Sequence, residues 1–262
     1  MTTPRQNGWM NGPSFAAVSV LFALAACGSA PLDATALDPT SLAGDLVAHW
    51  KFDDGAGVTA ADSSGNGHDG VLAGGTWIPS GRFGGALELA YGDYVSVADF
   101  PQATASWTVS VWSRSSPAAL AQITTTLSTI ISTETVFAGG WQMHIDNEPN
   151  KQWFDAAYWA GATVNNYVVL FCSCIVPDGW VHLTTVWDAA SAKMTLYRDD
   201  QVADQQPMPS PILSGDTTLY MGTWNGADTP RFLVGDIDDF AVWSRALAPQ
   251  EIAALSHHSP AP

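Results

Sequence analysis

"VGDIDDFAVWSRALAPQEIAAL", residues 234–255, sets three aspartates ahead of a run of alternating apolar residues and then a proline. The alternation through Trp243 predicts a strand. Pro249 in a first turn, Glu251 two residues on, and then Ile252, Ala253 and Leu255 predict a short helix, the only persuasive one in the chain. Counted along the strand, Asp238 shares a side with Phe240 and Val242, and Asp239 shares the other with Ala241 and Trp243. If Phe240 and Val242 face a core, Asp238 lies at its rim and cannot stay ionised there without a partner. It then needs backbone amides, an arginine or a metal. Asp236 and Asp239 read as ordinary strand residues.

Outward from this stretch, strand signals dominate. "LVAHWKF" (46–52) puts Ala48, Trp50 and Phe52 on one parity, and "SWTVSVWSR" (106–114) alternates in the same way. "WVHLTTVWD" (180–188) and "KMTLYRDDQ" (193–201) predict a hairpin through residues 189–192, followed by "TTLYMGTW" (217–224) and "FLVGDIDDFAVWS" (232–244). Twelve Trp and 23 Gly fit many strands separated by tight turns. Short strands at this spacing indicate a sandwich or jelly roll. With 47% hydrophobic and 13% charged residues the chain is core-rich. No internal repeat is visible, and Asp45–Ser256 reads as one domain with 257–262 as a tail. A net charge of −16, with only nine Lys and Arg, excludes nucleic acid as a partner.

"SFAAVSVLFALAAC" (14–27) is apolar, of signal-peptide length, and too short to span a bilayer as a helix. Its end, Leu24-Ala25-Ala26-Cys27, is similar to the lipobox of bacterial lipoproteins; an ordinary signal peptide cut after a small residue is the alternative. The resemblance implies removal of residues 1–26, lipid on Cys27, and anchoring in the cell envelope without a span. Gly28, in place of Asp, leans towards the outer membrane. Residues 27–44 then read as a flexible tether. Cys172 and Cys174 remain. At i and i+2 of an extended strand they stand too far apart for a disulfide, so a bond requires a turn within "FCSCIVPDG". A local disulfide in an oxidising compartment is favoured over two free thiols. No second Cys or His pair completes a zinc set.

"LVAHWKFDDGAGVTAADSSGNGHDGVL" (46–72), "GRFGGALELAYGDYVSV" (81–97), "SWTVSVWSR", "WVHLTTVWDAASAKMTLYRDDQ" (180–201) and "GDIDDFAVWSRALAPQEIAAL" (235–255) together resemble the laminin-G-like, concanavalin-A-like jelly-roll domains of bacterial surface proteins. The resemblance implies an all-β fold of two antiparallel sheets, first and last strands adjacent, with the short helix C-terminal. Residues 120–176 match poorly. Relatives of this fold bind sugars, proteins or sulfated ligands, and some are hydrolases, so the fold alone does not assign an activity.

Family members carry structural calcium, and oxygen donors on irregular loops suit that ion. Asp54, Asp62, Asn66 and Asp238 are the candidate ligands. The competing reading gives Asp62 an Asx turn and Asp238 backbone N–H groups. Aromatics in the poorly matched stretch are candidates for stacking on sugars: Trp141, Trp153, Tyr158, Trp159 and Tyr167. Asp146, Glu148, Asn165 and Asn166 could bond hydroxyls; core packing is the alternative for each ring. Trp153, Tyr158 and Trp159 cannot all share one strand face. "HIDNE" (144–148) resembles the catalytic row of retaining glucanases, but His144 stands where the nucleophilic carboxylate belongs and cannot form the glycosyl ester. No nucleophile elbow, phosphate loop or dinucleotide fingerprint is present. A non-catalytic surface module binding carbohydrate is the favoured reading. A protein-binding adhesion or scaffold domain follows, and a glycoside hydrolase on residues 144–148 is the remote alternative.

Overall fold

The computed structural model describes residues 42–103, 105–121, 123, 127–134, 139–147, 153–159, 167–208, 211–212, 214–226 and 231–260. The expected leader, Cys27 and the tether as far as residue 41 lie outside the described residues, as do Glu148, Asn165 and Asn166.

Among the described residues sixteen strands form two eight-stranded antiparallel sheets. Sheet A runs in the order β14 (Gln201–Pro207), β13 (Lys193–Arg198), β12 (Gly179–Asp188), β7 (Trp107–Ser115), β16 (Gly235–Trp243), β5 (Ala86–Leu89), β4 (Thr76–Ile78), with β1 (Leu46–Trp50) also paired to β16. Sheet B runs β11 (Tyr167–Ile175), β10 (Trp153–Trp159), β9 (Trp141–Asp146), β8 (Leu127–Ser132), β15 (Leu219–Met221), β6 (Tyr94–Val97), β3 (Gly70–Ala73), β2 (Thr59–Ala60). Two helices are described, α1 (Pro117–Leu120) and α2 (Pro249–Leu255). The expected hairpin is β12–β13, and the first and last strands are adjacent, with Trp50 opposite Phe240. The poorly matched stretch supplies β8, β9, β10 and β11, half of sheet B.

Alternating side chains of both sheets meet in one core that includes Trp50, Phe52, Val109, Val111, Trp141, Phe240 and Val242. A second apolar cluster lies on the outer face of sheet A. There Ile252 and Leu255 of α2, with Leu247, cover Ala241, Trp243, Val186 and Tyr197. Leu42 joins this cluster, and its carbonyl accepts the Trp243 indole N–H at 2.7 Å, so the end of the expected tether is packed against the domain. Glu251 holds the start of α2 by accepting the Ala248 N–H at 2.8 Å and both Nη groups of Arg245.

A β-bulge in β16 decides where its aspartates point. Asp238 pairs with Trp112 and Ala241 with Ser110, so Asp239 and Phe240 together oppose Val111. Asp239 takes the left-handed conformation (φ 46°) that this requires. Strict alternation would put Asp238 on the core side with Phe240. The bulge instead turns Asp236 and Asp238 to the outer face, while Ile237, Phe240 and Val242 enter the core.

Candidate functional site

The outer face of sheet B carries a row of directly opposed side chains. Val71, Ser96, Tyr220, Ser132 and Gln142 follow one another across β3, β6, β15, β8 and β9. The period of two explains it: in β6, Val95 and Val97 are buried while Tyr94 and Ser96 turn outward, and in β15 Leu219 and Met221 flank Tyr220 in the same manner. The Tyr94 and Tyr220 rings meet edge to face at 6.2 Å. They lie in an open groove of 540 Å³ whose rim includes Asp69, Thr218 and Asn225. Two half-buried rings beside amide, hydroxyl and carboxylate groups make a surface that can stack on one face of a ring and hydrogen-bond its edge.

Sequence reasoning named other residues for this role. Trp141 is 1% exposed and belongs to the core, because Trp141, Met143 and Ile145 share the inward parity of β9. It is therefore not a ligand-binding residue. Asp146 closes β9, half-buried, opposite Leu127 and Trp153. Trp153, Tyr158, Trp159 and Tyr167 lie in β10 and β11 with side chains outside the described ones. Glu148, Asn165 and Asn166 cannot be placed, being outside the described residues. His144 is buried, 3.9 Å from Asp155 across to β10. Burial, reinforced by the charge of Arg231, drives its pKa down to about 4, so it is neutral at ordinary pH.

The four expected calcium ligands take up separate backbone duties. Asp62 accepts N–H groups of His49, Ser64 and His68 at 2.9–3.0 Å and the Ser64 hydroxyl at 2.9 Å. Burial works to raise its pKa, but these hydrogen bonds outweigh it and hold the carboxyl below its usual range. Asn66 donates through Nδ2 to the carbonyls of Leu46 and Val47, both at 2.9 Å. Asp54 accepts from the Ala61 N–H. Asp238 accepts from Arg82 and Phe83 at 2.6 and 2.9 Å. Among the described residues no three His, Cys, Asp or Glu side chains come together as a metal site. The donor set thus does not fit one calcium ion, and the Asx-turn and backbone-amide reading describes what these groups do.

The Gly81–Gly85 turn is built for Asp238. A Cβ on Gly81 would fall 2.6 Å from Asp238 Oδ2 and closer still to the Gly85 carbonyl, so only glycine allows this approach. Burial above all, helped by Asp239 alongside, pushes the Asp238 pKa up to about 7. Asp236 and Asp239 are not ordinary either. Asp236 pairs with Arg114, and Asp239 lies 2.8 Å from His49 Nε2 while accepting the Ser259 hydroxyl at 2.6 Å. Ser110 and His182 also meet, at 2.7 Å, but both are enclosed beneath the outer face of sheet A. Burial first, then the Arg82 and His257 charges, depress the His182 pKa to about 3 despite its hydrogen bond with Asp199, which leaves it unsuited to act as a base near neutrality.

Cys172 and Cys174 form a disulfide within β11. The register shifts there, with Cys172 opposite Phe154 and Ile175 opposite Trp153, and this bulge draws the two Cα atoms to 5.0 Å.

The profile of the concanavalin A-like lectin/glucanases superfamily matches residues 89–253. The chain belongs to this superfamily. No curated protein matches it in sequence. Its structure is similar to domain 4 of AbnA, an extracellular arabinanase from Geobacillus stearothermophilus solved with arabinotriose: TM-score 0.61, 19% identity, 81% of this chain and 98% of that one. It is also similar to the botulinum neurotoxin serotype D ligand-binding domain solved with N-acetylneuraminic acid: TM-score 0.62, 17% identity, 83% of this chain and 52% of that one. The binding domain of paraclostridial mosquitocidal protein 1 is a third, with TM-score 0.63, 15% identity, and 82% and 52% coverage. The superfamily member thus spans about half of each toxin domain, and at these identities the likeness is one of fold.

Proposed function

We propose that this domain is a non-catalytic carbohydrate-binding module whose ligand lies in the Tyr94–Tyr220 groove on the outer face of sheet B. The observation that carries this reading is the pair of tyrosines brought together from β6 and β15 in an open groove with a polar rim. Tyrosine rings match the apolar faces of sugars, and neighbouring amides and hydroxyls match their edges. Two structural neighbours were solved with saccharides, arabinotriose and N-acetylneuraminic acid, which supports the ligand class without choosing the sugar. A hydrolytic reading on His144 gains nothing from its neutral, buried state.

The test is a glycan array probed with the purified full chain and with Tyr94→Ala and Tyr220→Ala, each checked for an unchanged melting temperature. Each substitution is expected to weaken binding about tenfold, the worth of one lost aromatic contact. Binding that is unaffected in both variants sinks the groove as the site. The apolar stretch ending at Cys27 supports placing this module on a membrane through a lipid; intact mass of the envelope-extracted protein, with or without an acylated Cys27, decides that.

A further inference from the structure

A second row crosses the other side of the sandwich. Thr76, Glu88, Asp236, Arg114 and Trp180 are directly opposed in turn across β4, β5, β16, β7 and β12. All five face outward, since Leu87, Ile237, Val111 and Val181 between them point to the core. With neighbouring strands ~4.8 Å apart, the row is about 19 Å long. It floors a cleft of 710 Å³, beyond the cover of α2.

The middle of the row is pre-organised. Asp236, nine-tenths buried, accepts Arg114 Nε at 2.5 Å, and the guanidinium lies over the Trp180 ring at 4.7 Å. Pinned on both sides, Arg114 has both Nη groups without a hydrogen-bond partner among the described residues. Glu88 and Asp178, both lining the same cleft and exposed, likewise form no ion pair there. Trp180 also walls a second cleft of 370 Å³ with Arg82, Asp199 and Asp200, so the recess continues past the ring.

We propose that this cleft is a second saccharide site, on the face of the sandwich opposite the tyrosine groove, and that it takes neutral oligosaccharides. A fixed guanidinium beside one fixed carboxylate, Asp236, and one exposed carboxylate, Glu88, offers donors and acceptors at the spacing of one row. A sugar hydroxyl both donates and accepts, so a vicinal pair can bridge Arg114 to Asp236 or Glu88 while the ring lies along Trp180. An anionic sugar would meet Glu88 and Asp178 beside a single guanidinium, Arg114, whose charge Asp236 already offsets, on a chain of net charge −16. Among the described residues no three His, Cys, Asp or Glu side chains gather there to hold a metal ion. The length of the row favours a chain of sugars over a single ring. Only the ligand class rests on the proposed function; the site shares no residue with the groove. Two sites on opposite faces make the domain bivalent, able to bridge two glycan chains.

The experiment is an array of cello-, manno- and arabino-oligosaccharides, chitosan oligomers and oligogalacturonates. It is probed with the full chain as wild type, Tyr94→Ala/Tyr220→Ala, Trp180→Ala, Glu88→Ala, and the tyrosine double variant combined with either Trp180→Ala or Glu88→Ala. Glu88 is exposed and unpaired, so its variant keeps the test alive should Trp180→Ala fail to fold. Binding of neutral oligosaccharides is expected to persist in the tyrosine double variant, and to fall about tenfold when Glu88→Ala or Trp180→Ala is added to it. If the tyrosine variant loses all binding while Trp180→Ala and Glu88→Ala bind as wild type, the second site is overturned and the groove stands. Binding lost in the Trp180 and Glu88 variants alone keeps this site and dismisses the groove. A preference of the tyrosine variant for oligogalacturonates overturns the ligand class. Silence of every protein on every sugar overturns both sites.

Discussion

Sheet B leaves Val71, Ser96 and Tyr220 partly or fully open to solvent across β3, β6 and β15, whereas sheet A folds Ala241, Trp243 and Tyr197 under α2 and leaves the Thr76–Trp180 row uncovered. Both faces arise from the same two-residue alternation, so the difference lies in what the chain places on top. On sheet A the covering helix is anchored by Trp243 and by the Arg245–Glu251 pair. Uncovered residues are therefore available to a ligand on both faces, but with different character: mainly tyrosine rings and hydroxyls on one side, a row of charged groups on the other.

The comparison can be broken most forcefully at Trp243. Trp243→Ala removes the floor of the helix contact and the indole bond to Leu42, and is expected to cost ~3–5 kcal/mol in urea unfolding. The same truncation logic on sheet B gives almost nothing: Val71→Thr, at a residue 58% exposed, is expected to change stability by less than ~0.5 kcal/mol. A large loss at Val71 would mean that sheet B is covered too.

Between these extremes lies a pH effect. Asp238, raised to about 7 by burial, keeps a proton in the folded state that the unfolded chain releases near 4, so its contribution to stability falls as pH rises from about 4 to about 7. His144 and His182, depressed to about 4 and about 3 by burial, act in the other sense. The unfolded chain takes up their protons below about 6.5 while the folded chain does not, so stability falls as pH drops from there. Two histidines against one aspartate leave a net of ~1 proton taken up on unfolding between about pH 4.5 and 6. Stability therefore rises with pH across that window. Asp238→Asn is expected to steepen the rise to ~2 protons and to lift stability above pH 7, as read from denaturant midpoints across pH. An unchanged slope would show that Asp238 is ionised in the folded protein.

Much of this architecture was legible in the alternating stretches. β1, β7, β12, β13 and β16 all coincide with apolar periodicity, and α2 with its proline and Glu251. Parity failed at Asp238 because one extra residue in β16 inverts every facing assignment before it, and a bulge leaves no mark in the periodicity except a tolerant residue such as Asp239. Trp141 escapes sequence reading for a related reason. Large aromatics suit both cores and sugar sites, and only its strand mates Met143 and Ile145 show which it serves. The tyrosine groove and the Thr76–Trp180 row were invisible because each is assembled by cross-strand register between segments far apart in the chain. Tyr94 and Tyr220 individually read as nothing more than outward positions of short strands.

The pairing of β1 with β16 also dictates the order of events in folding. Leu46 lies opposite Trp243, and the indole of Trp243 reaches a carbonyl 201 residues earlier. Loop closure of that length is slow, and an all-β chain whose central strand is its last places the domain among slow folders, on the scale of milliseconds to seconds. Until residues 235–243 emerge from the ribosome, β1, β5 and β7 each lack the neighbour that joins them in sheet A. A nascent chain halted short of β16 therefore exposes unpaired edges to any other strand it meets.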